Sequence, residues 1–288
     1  MDTRPDTISN IASYYGIKSK TLQRHYKKQV SGFSSWSQLS HAEEYLIYPE
    51  NIDESLSIDE VSLSKGELYT IVTNKKTKFK NKKSVVAIIN GTESKKIQSV
   101  LEQIQLEKRN KVKEVSMDMA RNMSLAIENS FLNTSKVIDR FHVVRLVIEA
   151  MQHIRVKNRW DVIKYQNEAI KQAREKGEKY YPEILSNGDT LKELLARSRY
   201  LLYKLETQWT MNQAKRANIL FEKFPQIKQA YKLVLQFRSI YNQTKIEAVN
   251  QFNEWKNMVI SSNIDEFNSV LNSLEYHFDE IFNYFNNI

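Results

Sequence analysis

The chain has 288 residues, and its 43 Lys and Arg against 34 Asp and Glu give a net charge of +9. That length fits one large domain or two smaller ones, and the charge favours a polyanionic partner, nucleic acid ahead of a membrane surface. Cysteine is absent, which excludes disulfides, thiolate zinc sites and a cysteine nucleophile.

No segment has the charged-then-apolar pattern of a secretory signal, and no run is long enough to span a bilayer. A cytoplasmic chain without membrane association is expected. With only 6 Gly and 4 Pro, much of it should be helical.

Residues 1–32 read as a helix-turn-helix. Thr7 can cap a first helix through Tyr15, Gly16 supplies a left-handed turn, and Ser19 can cap a second helix. Ala12, Ile11, Ile17 and Leu22 sit where the two helices must pack closely. The second helix carries Lys18, Lys20, Gln23, Arg24, Lys27 and Lys28. Lys and Arg neutralise phosphates, and Gln and Arg read base edges, so these six are the candidate DNA contacts. An ordinary basic helical hairpin is the alternative. Residues 33–54 form a connector, with a short helix expected over His41–Tyr48.

Residues 55–144 change character. Ser55–Asp59, Gly66–Thr73 and Ser84–Ile89 read as strands, with the basic Lys75–Lys83 loop between the second and third. Helical spacing follows over Glu93–Gln105. Then come a strand to Met117, a helix over Met119–Phe131 and a short strand at Val137–Ile138. The order β-β-β-α-β-α-β implies a mixed sheet covered by helices. It places the first strand centrally, with the fourth beside it.

Residues 145–288 are helical almost throughout. The expected helices are Val143–Asn158, Trp160–Lys179, Thr190–Tyr203, Asn212–Phe224, Gln226–Ala248 and Ile264 to the end. Trp160, Trp209 and Trp255 are expected in the core.

Three apolar runs end in Asp59, Asp118 and Asp139. A charge at the end of a buried strand is costly, and acids brought together usually hold a divalent cation. Taken singly, Asp118 and Asp139 could each cap the helix that follows. Taken together, Asp59 and Asp118 would project from neighbouring strand ends, where two carboxylates repel unless a cation lies between them. A basic surface beside such a site fits metal-assisted phosphodiester chemistry.

Ser57-Ile58-Asp59-Glu60-Val61-Ser62-Leu63-Ser64-Lys65-Gly66 followed by Tyr69 resembles the first-acid motif of the ISL-three-type DDE transposases of bacterial insertion sequences. Val115-Ser116-Met117-Asp118-Met119 resembles the second-acid motif. Val137-Ile138-Asp139-Arg140-Phe141-His142-Val143-Val144 resembles their Asp-Arg-Phe-His signature.

The resemblance implies a ribonuclease-H-like mixed sheet within a helix-rich α+β chain, with an N-terminal helix-turn-helix and a large all-helical insertion from residue 145. It also implies two Mg²⁺ (or Mn²⁺) ions held with the help of Asp59 and Asp118. Asp139 and His142 are implied as a supporting pair, with a buried structural histidine equally open. Transposon-end and target DNA are the implied partners, with a homo-oligomer or pairing with an intact transposase. The implied third acid is a glutamate in a Thr-Asn-x-x-x-Glu-x-x-Asn segment.

Residues 277–288 resemble only the lead-in to that segment, and Glu275, Asp279 and Glu280 do not match it. A truncated, catalytically incomplete enzyme is therefore expected, whose Ile281, Phe282, Tyr284 and Phe285 lack a covering element. A DNA-binding or regulatory remnant without catalysis, and an unrelated helix-turn-helix regulator, remain open.

Overall fold

A computed structural model describes residues 6–63, 66–75 and 84–287. The chain divides into two compact units. One comprises the residues up to Lys113 with Leu125–Asn133, and the other Glu114–Ser124 with Thr134–Ile288. Residues 76–83 of the expected basic loop, and Ser64 and Lys65 of the first-acid motif, lie outside the described residues.

The first unit begins with α1 (Ile8–Tyr14) and α2 (Ser19–His25), and a π-helical turn, Tyr26–Val30, extends α2. Thr7 caps α1 by accepting from the Asn10 N–H at 3.1 Å. Gly16 has φ +66°, the left-handed conformation that lets the chain turn without a Cβ penalty. Only Ala12 is buried in these helices. Ile17, expected to pack between them, is 45% exposed.

Four strands follow, β1 (Tyr45–Ile47), β2 (Ser55–Ser62), β3 (Leu68–Asn74) and β4 (Val85–Asn90). They pair antiparallel: β1 with β4, β4 with β3, and β3 with β2. β1 replaces the helix expected at His41–Tyr48. Its Tyr-Leu-Ile core favours a strand, and pairing Tyr45 with Ile89 satisfies backbone groups that a single helical turn would leave open. Leu56, Ile58, Val72, Val86, Ala87 and Ile89 give this sheet a buried face, covered by α3 (Ser94–Leu101) through Ile97, Val100 and Leu101. α4 (Leu106–Arg109) follows α3.

In the second unit β5 (Glu114–Met117) and β6 (Ser135–Ile138) pair in parallel, Met117 opposite Ile138. α5 (Arg121–Ser130) lies between them in sequence. Antiparallel and parallel pairing thus occur in one helix-rich α+β chain, the mixed pairing expected from the element order.

α6 (Arg140–Glu175) is one helix of 36 residues, not the two expected. Asn158-Arg159-Trp160 contains no Gly or Pro to stop it. Around it stand α7 (Leu191–Arg197), α8 (Met211–Lys223), α9 (Pro225–Ile240), α10 (Lys245–Ser262), α11 (Asp265–Tyr276) and α12 (Phe278–Phe282). The single helix expected over Gln226–Ala248 is α9 and the start of α10. A capping box of Thr244 and Glu247 starts the second.

Trp255 is buried and donates to the Leu233 carbonyl at 2.9 Å, while Trp209 is only half-buried and donates to the Leu201 carbonyl at 2.8 Å. Trp160, by contrast, is 58% exposed and not in the core.

The expectation of uncovered apolar residues near the C-terminus is overturned. Ile281, Phe282 and Phe285 are buried. Phe282 meets Phe252 and Phe285, and Phe285 stacks on Tyr241 at 5.7 Å. The helical region covers these side chains itself, and Asn283 ties the segment to β6 by donating to the Lys136 carbonyl at 3.0 Å.

Candidate active site

Asp59 belongs to the first unit. β2 runs on to Ser62, so Asp59 lies inside the strand, paired with Ile71, and not at its end as expected. It is exposed, because the strand alternates and Leu56 and Ile58 take the buried face. Its Oδ1 accepts the Glu60 N–H at 2.8 Å.

The other two acids belong to the second unit, each one residue beyond a strand end. Since Met117 lies opposite Ile138, parallel pairing sets Asp118 and Asp139 side by side at the carboxyl edge of β5 and β6. The Asp139 N–H continues that ladder to the Met117 carbonyl at 2.8 Å. Asp118 Oδ1 accepts the Ala120 N–H at 2.8 Å, a turn that leads into α5. Asp139 caps α6, its Oδ1 accepting the Phe141 N–H at 2.7 Å. The helix-capping alternative therefore holds for Asp139, whereas Asp118 closes a turn ahead of α5 and does not cap it. Either role engages one carboxylate oxygen, and a carboxylate has two.

The cap also orients α6. The Asp139 carbonyl accepts the His142 N–H at 3.0 Å, and the His142 ring stands edge-on to Phe141 at 5.4 Å. His142 is half-buried and lines an open cleft of ≈ 300 Å³ with Asp118, Met119, Ala120, Arg145, Leu146 and Glu149. Asp118 and His142 thus share one cleft, whose lining does not include Asp139.

Arg145 and Glu149 escaped the sequence reading. Their Nε–Oε1 distance is 2.7 Å, and the Glu149 hydrogen bond and charge raise the Arg145 pKa above its ordinary value. The spacing of His142, Arg145, Leu146 and Glu149 along one helical face was the available signal.

Two glutamates near the C-terminus are held in ion pairs. Glu280 binds Lys136 at 2.7 Å and His277 Nδ1 at 2.5 Å. Burial pushes the Glu280 carboxyl up, but those hydrogen bonds outweigh it and hold the pKa below the usual carboxylate value. Glu275 pairs with Lys256. Among the described residues no group of three or more Asp, Glu, His or Cys is arranged to hold a metal ion.

Lys18, Lys20, Gln23, Arg24, Lys27 and Lys28 are all exposed around α2. The Lys27 ammonium lies 3.9 Å from the centre of the Phe33 ring.

This is a helix-rich α+β protein with aspartates at the carboxyl edge of parallel strands, one of them in a cleft with a histidine. Its residues 56–288 match the model of the ISL3-type DDE family described as Transposase. That is well over half of the chain, which belongs to this transposase family. No curated protein and no solved structure matches it. Among the described residues no helix is long and apolar enough to cross a membrane.

Proposed function

We propose that the chain recognises the ends of an insertion sequence and supplies two metal-binding acids, Asp59 and Asp118, for cleavage and joining of phosphodiester bonds. The observation that carries this reading is the family match over 56–288, which includes the cleft lined by Asp118 and His142. Membership of a transposase family implies DNA as the partner. In residue terms, 1–32 are proposed as the DNA-recognition unit, 55–144 as the catalytic core and 145–288 as the helical insertion.

The donor chemistry suits Mg²⁺ or Mn²⁺. Asp59 and Asp118 are oxygen donors outside the deep core, each with Oδ1 engaged by a backbone N–H and a second oxygen available to a hard cation. A pair of such ions, when bound, polarises the attacking and leaving oxygens of the phosphodiester.

The rest is the work of side chains. Asp139 is a positioning residue: by capping α6 it fixes the first turn from which His142 faces the cleft. His142 offers the DNA strand a ring nitrogen within hydrogen-bonding reach of the cleft. Arg145 brings a guanidinium to a site that receives phosphate, steadied by Glu149. Lys18, Lys20, Arg24, Lys27 and Lys28 neutralise phosphates, and Gln23 reads a base edge.

Glu275 and Glu280 are already paired with cations and are not assigned as a third metal ligand. The chain is proposed to bind DNA ends and, through Asp59 and Asp118, a divalent metal.

Two measurements test this. Mn²⁺ binding followed by electron paramagnetic resonance is expected in the unaltered chain and strongly reduced in Asp59→Asn and in Asp118→Asn. Equal Mn²⁺ binding by all three proteins would overturn the metal assignment. Incubation with terminal-repeat DNA and Mn²⁺ is expected to give a retarded complex. Absence of any retarded complex would overturn the end-recognition reading while leaving the metal assignment intact.

A further inference from the structure

The helical region holds two groups of arginines that differ in their counter-ions. Arg197 and Arg216 both bind Asp189. Arg155, Arg159 and Arg199 have no carboxylate partner among the described residues, although Arg155 is only 6% exposed.

A shared framework holds these three together. Arg155 and Arg159 are four residues apart on α6, hence on one face. The Arg155 Nε donates to Gln152 Oε1 at 2.7 Å, and its Nη1 donates to the Leu195 carbonyl at the end of α7 at 2.7 Å. Gln152 in turn donates to the Arg199 carbonyl at 3.2 Å. These bonds fix the turn bearing Arg199 against the stripe of α6 that carries Arg155 and Arg159. The Arg199 guanidinium lies over the exposed Tyr200 ring at 5.4 Å.

Closing the end of α7 accounts for Arg155, but not for the other two. The Arg159 Nε is buried without a hydrogen-bond partner. A buried donor left unsatisfied is costly, and guanidiniums gathered without an acid repel one another. The pKa of Arg155 is lowered by its burial first, then by the charges of Arg199 and Arg159, as expected of a site short of negative charge.

We propose that Arg155, Arg159 and Arg199 form a binding site for the phosphate backbone of DNA. Phosphate suits these guanidiniums because its oxygens accept from several of them at once. The site stands on the same helix as Arg145 of the cleft. From residue 145 to residue 155 α6 advances about 15 Å, at ~1.5 Å per residue. One strand passing Arg145 could therefore place a later phosphate at the second site. This proposal rests on the DNA-binding reading above.

Salt-dependent binding of a labelled DNA duplex tests it, because each lost phosphate contact lowers the log–log salt slope by about 1. Arg159→Gln and Arg199→Gln are expected to lower the slope by about 1 each, and the double variant by about 2. Arg159→Lys should retain the slope, as should Lys171→Gln, which removes a charge from an exposed position of α6. Arg155 is left unaltered because it closes α7, and thermal melting checks that each variant is folded. Slopes unchanged in the double variant, or lowered equally by Lys171→Gln, would overturn the site. If the unaltered chain bound no duplex at all, the DNA-binding reading would fall as well. A salt-dependent complex indifferent to Arg159 and Arg199 would remove this site alone.

Discussion

Asp189 in the helical region is 1% exposed, with Arg197 on one oxygen, Arg216 on the other at 2.9 Å and Asn187 donating at 2.8 Å. Asp118 is half-buried in the lining of a cleft and accepts one backbone N–H, and Asp59 is exposed and does the same. In the first setting the protein surrounds a carboxylate until no acceptor is idle. In the others it fixes the carboxylate by one oxygen and leaves the second open. The first arrangement holds helices together. The second presents an acceptor without relying on it for stability, as a ligand for a cation requires.

The contrast is broken most sharply by removing a charge from each place. Asp189→Asn leaves the half-exposed Arg197 and the partly buried Arg216 facing a neutral amide, and the loss is expected at the low end for a buried pair, about 3 kcal/mol. Urea unfolding of the helical region, followed by tryptophan fluorescence, is expected to show a loss of that size. An unchanged midpoint would mean that Asp189 is not structural.

Acid unfolding sharpens the same point. Burial alone would raise the Asp189 pKa, but the hydrogen bonds from Arg216 and Arg197 outweigh it and hold the value below the ordinary one. A carboxyl with a depressed folded pKa stabilises the fold fully above its unfolded value, about 3.9. That contribution is lost as pH falls through the lower folded value. Glu280 has the same sign through Lys136 and His277. Stability measured downward from pH 5 should therefore fall below about pH 4, with a shallower fall in Asp189→Asn, which lacks the group.

Next in size is the buried aromatic cluster. Phe282→Ala would leave a cavity against Phe252 and Phe285, for about 3 kcal/mol. Equality with the unaltered chain would mean that these rings do not form part of the core.

Local signals explain what could be read from the chain. Thr190 was legible as a helix start, and its capping box with Glu193 is present. Asn187-Gly188-Asp189, just before it, has the composition of a turn. Its role as an ion-pair node was not legible, because Arg216 lies 27 residues away in sequence. The Thr244–Glu247 box was in the sequence too, but unbroken apolar spacing on both sides hid the interruption between α9 and α10. β1 depends on β4 for its existence, and Phe282 on residues brought to it by α10, so neither follows from its own neighbours. At the candidate site, the strand-end positions of Asp118 and Asp139 and the capping by Asp139 were legible. Arg145, Glu149 and the arginines near Arg199 emerge only when helical faces and carbonyl partners are placed. A capping change tests the local end of this scale: Thr244→Ala removes the side-chain acceptor for the Glu247 N–H and should cost about 1 kcal/mol.

The smallest stability effect is the most telling. Asp118→Asn keeps an oxygen that can accept the Ala120 N–H, since an amide retains one carbonyl acceptor. Asparagine is also as good a residue for such turns as aspartate. The midpoint of unfolding should move by less than about 0.5 kcal/mol, as for surface changes outside special features. The same substitution removes the negative charge that a divalent cation would meet. Near-neutral stability with lost Mn²⁺ binding would separate Asp118 from Asp189 in kind, one acid serving a ligand and the other the fold. A loss of several kcal/mol from Asp118→Asn would erase that distinction and make the cleft carboxylate part of the architecture.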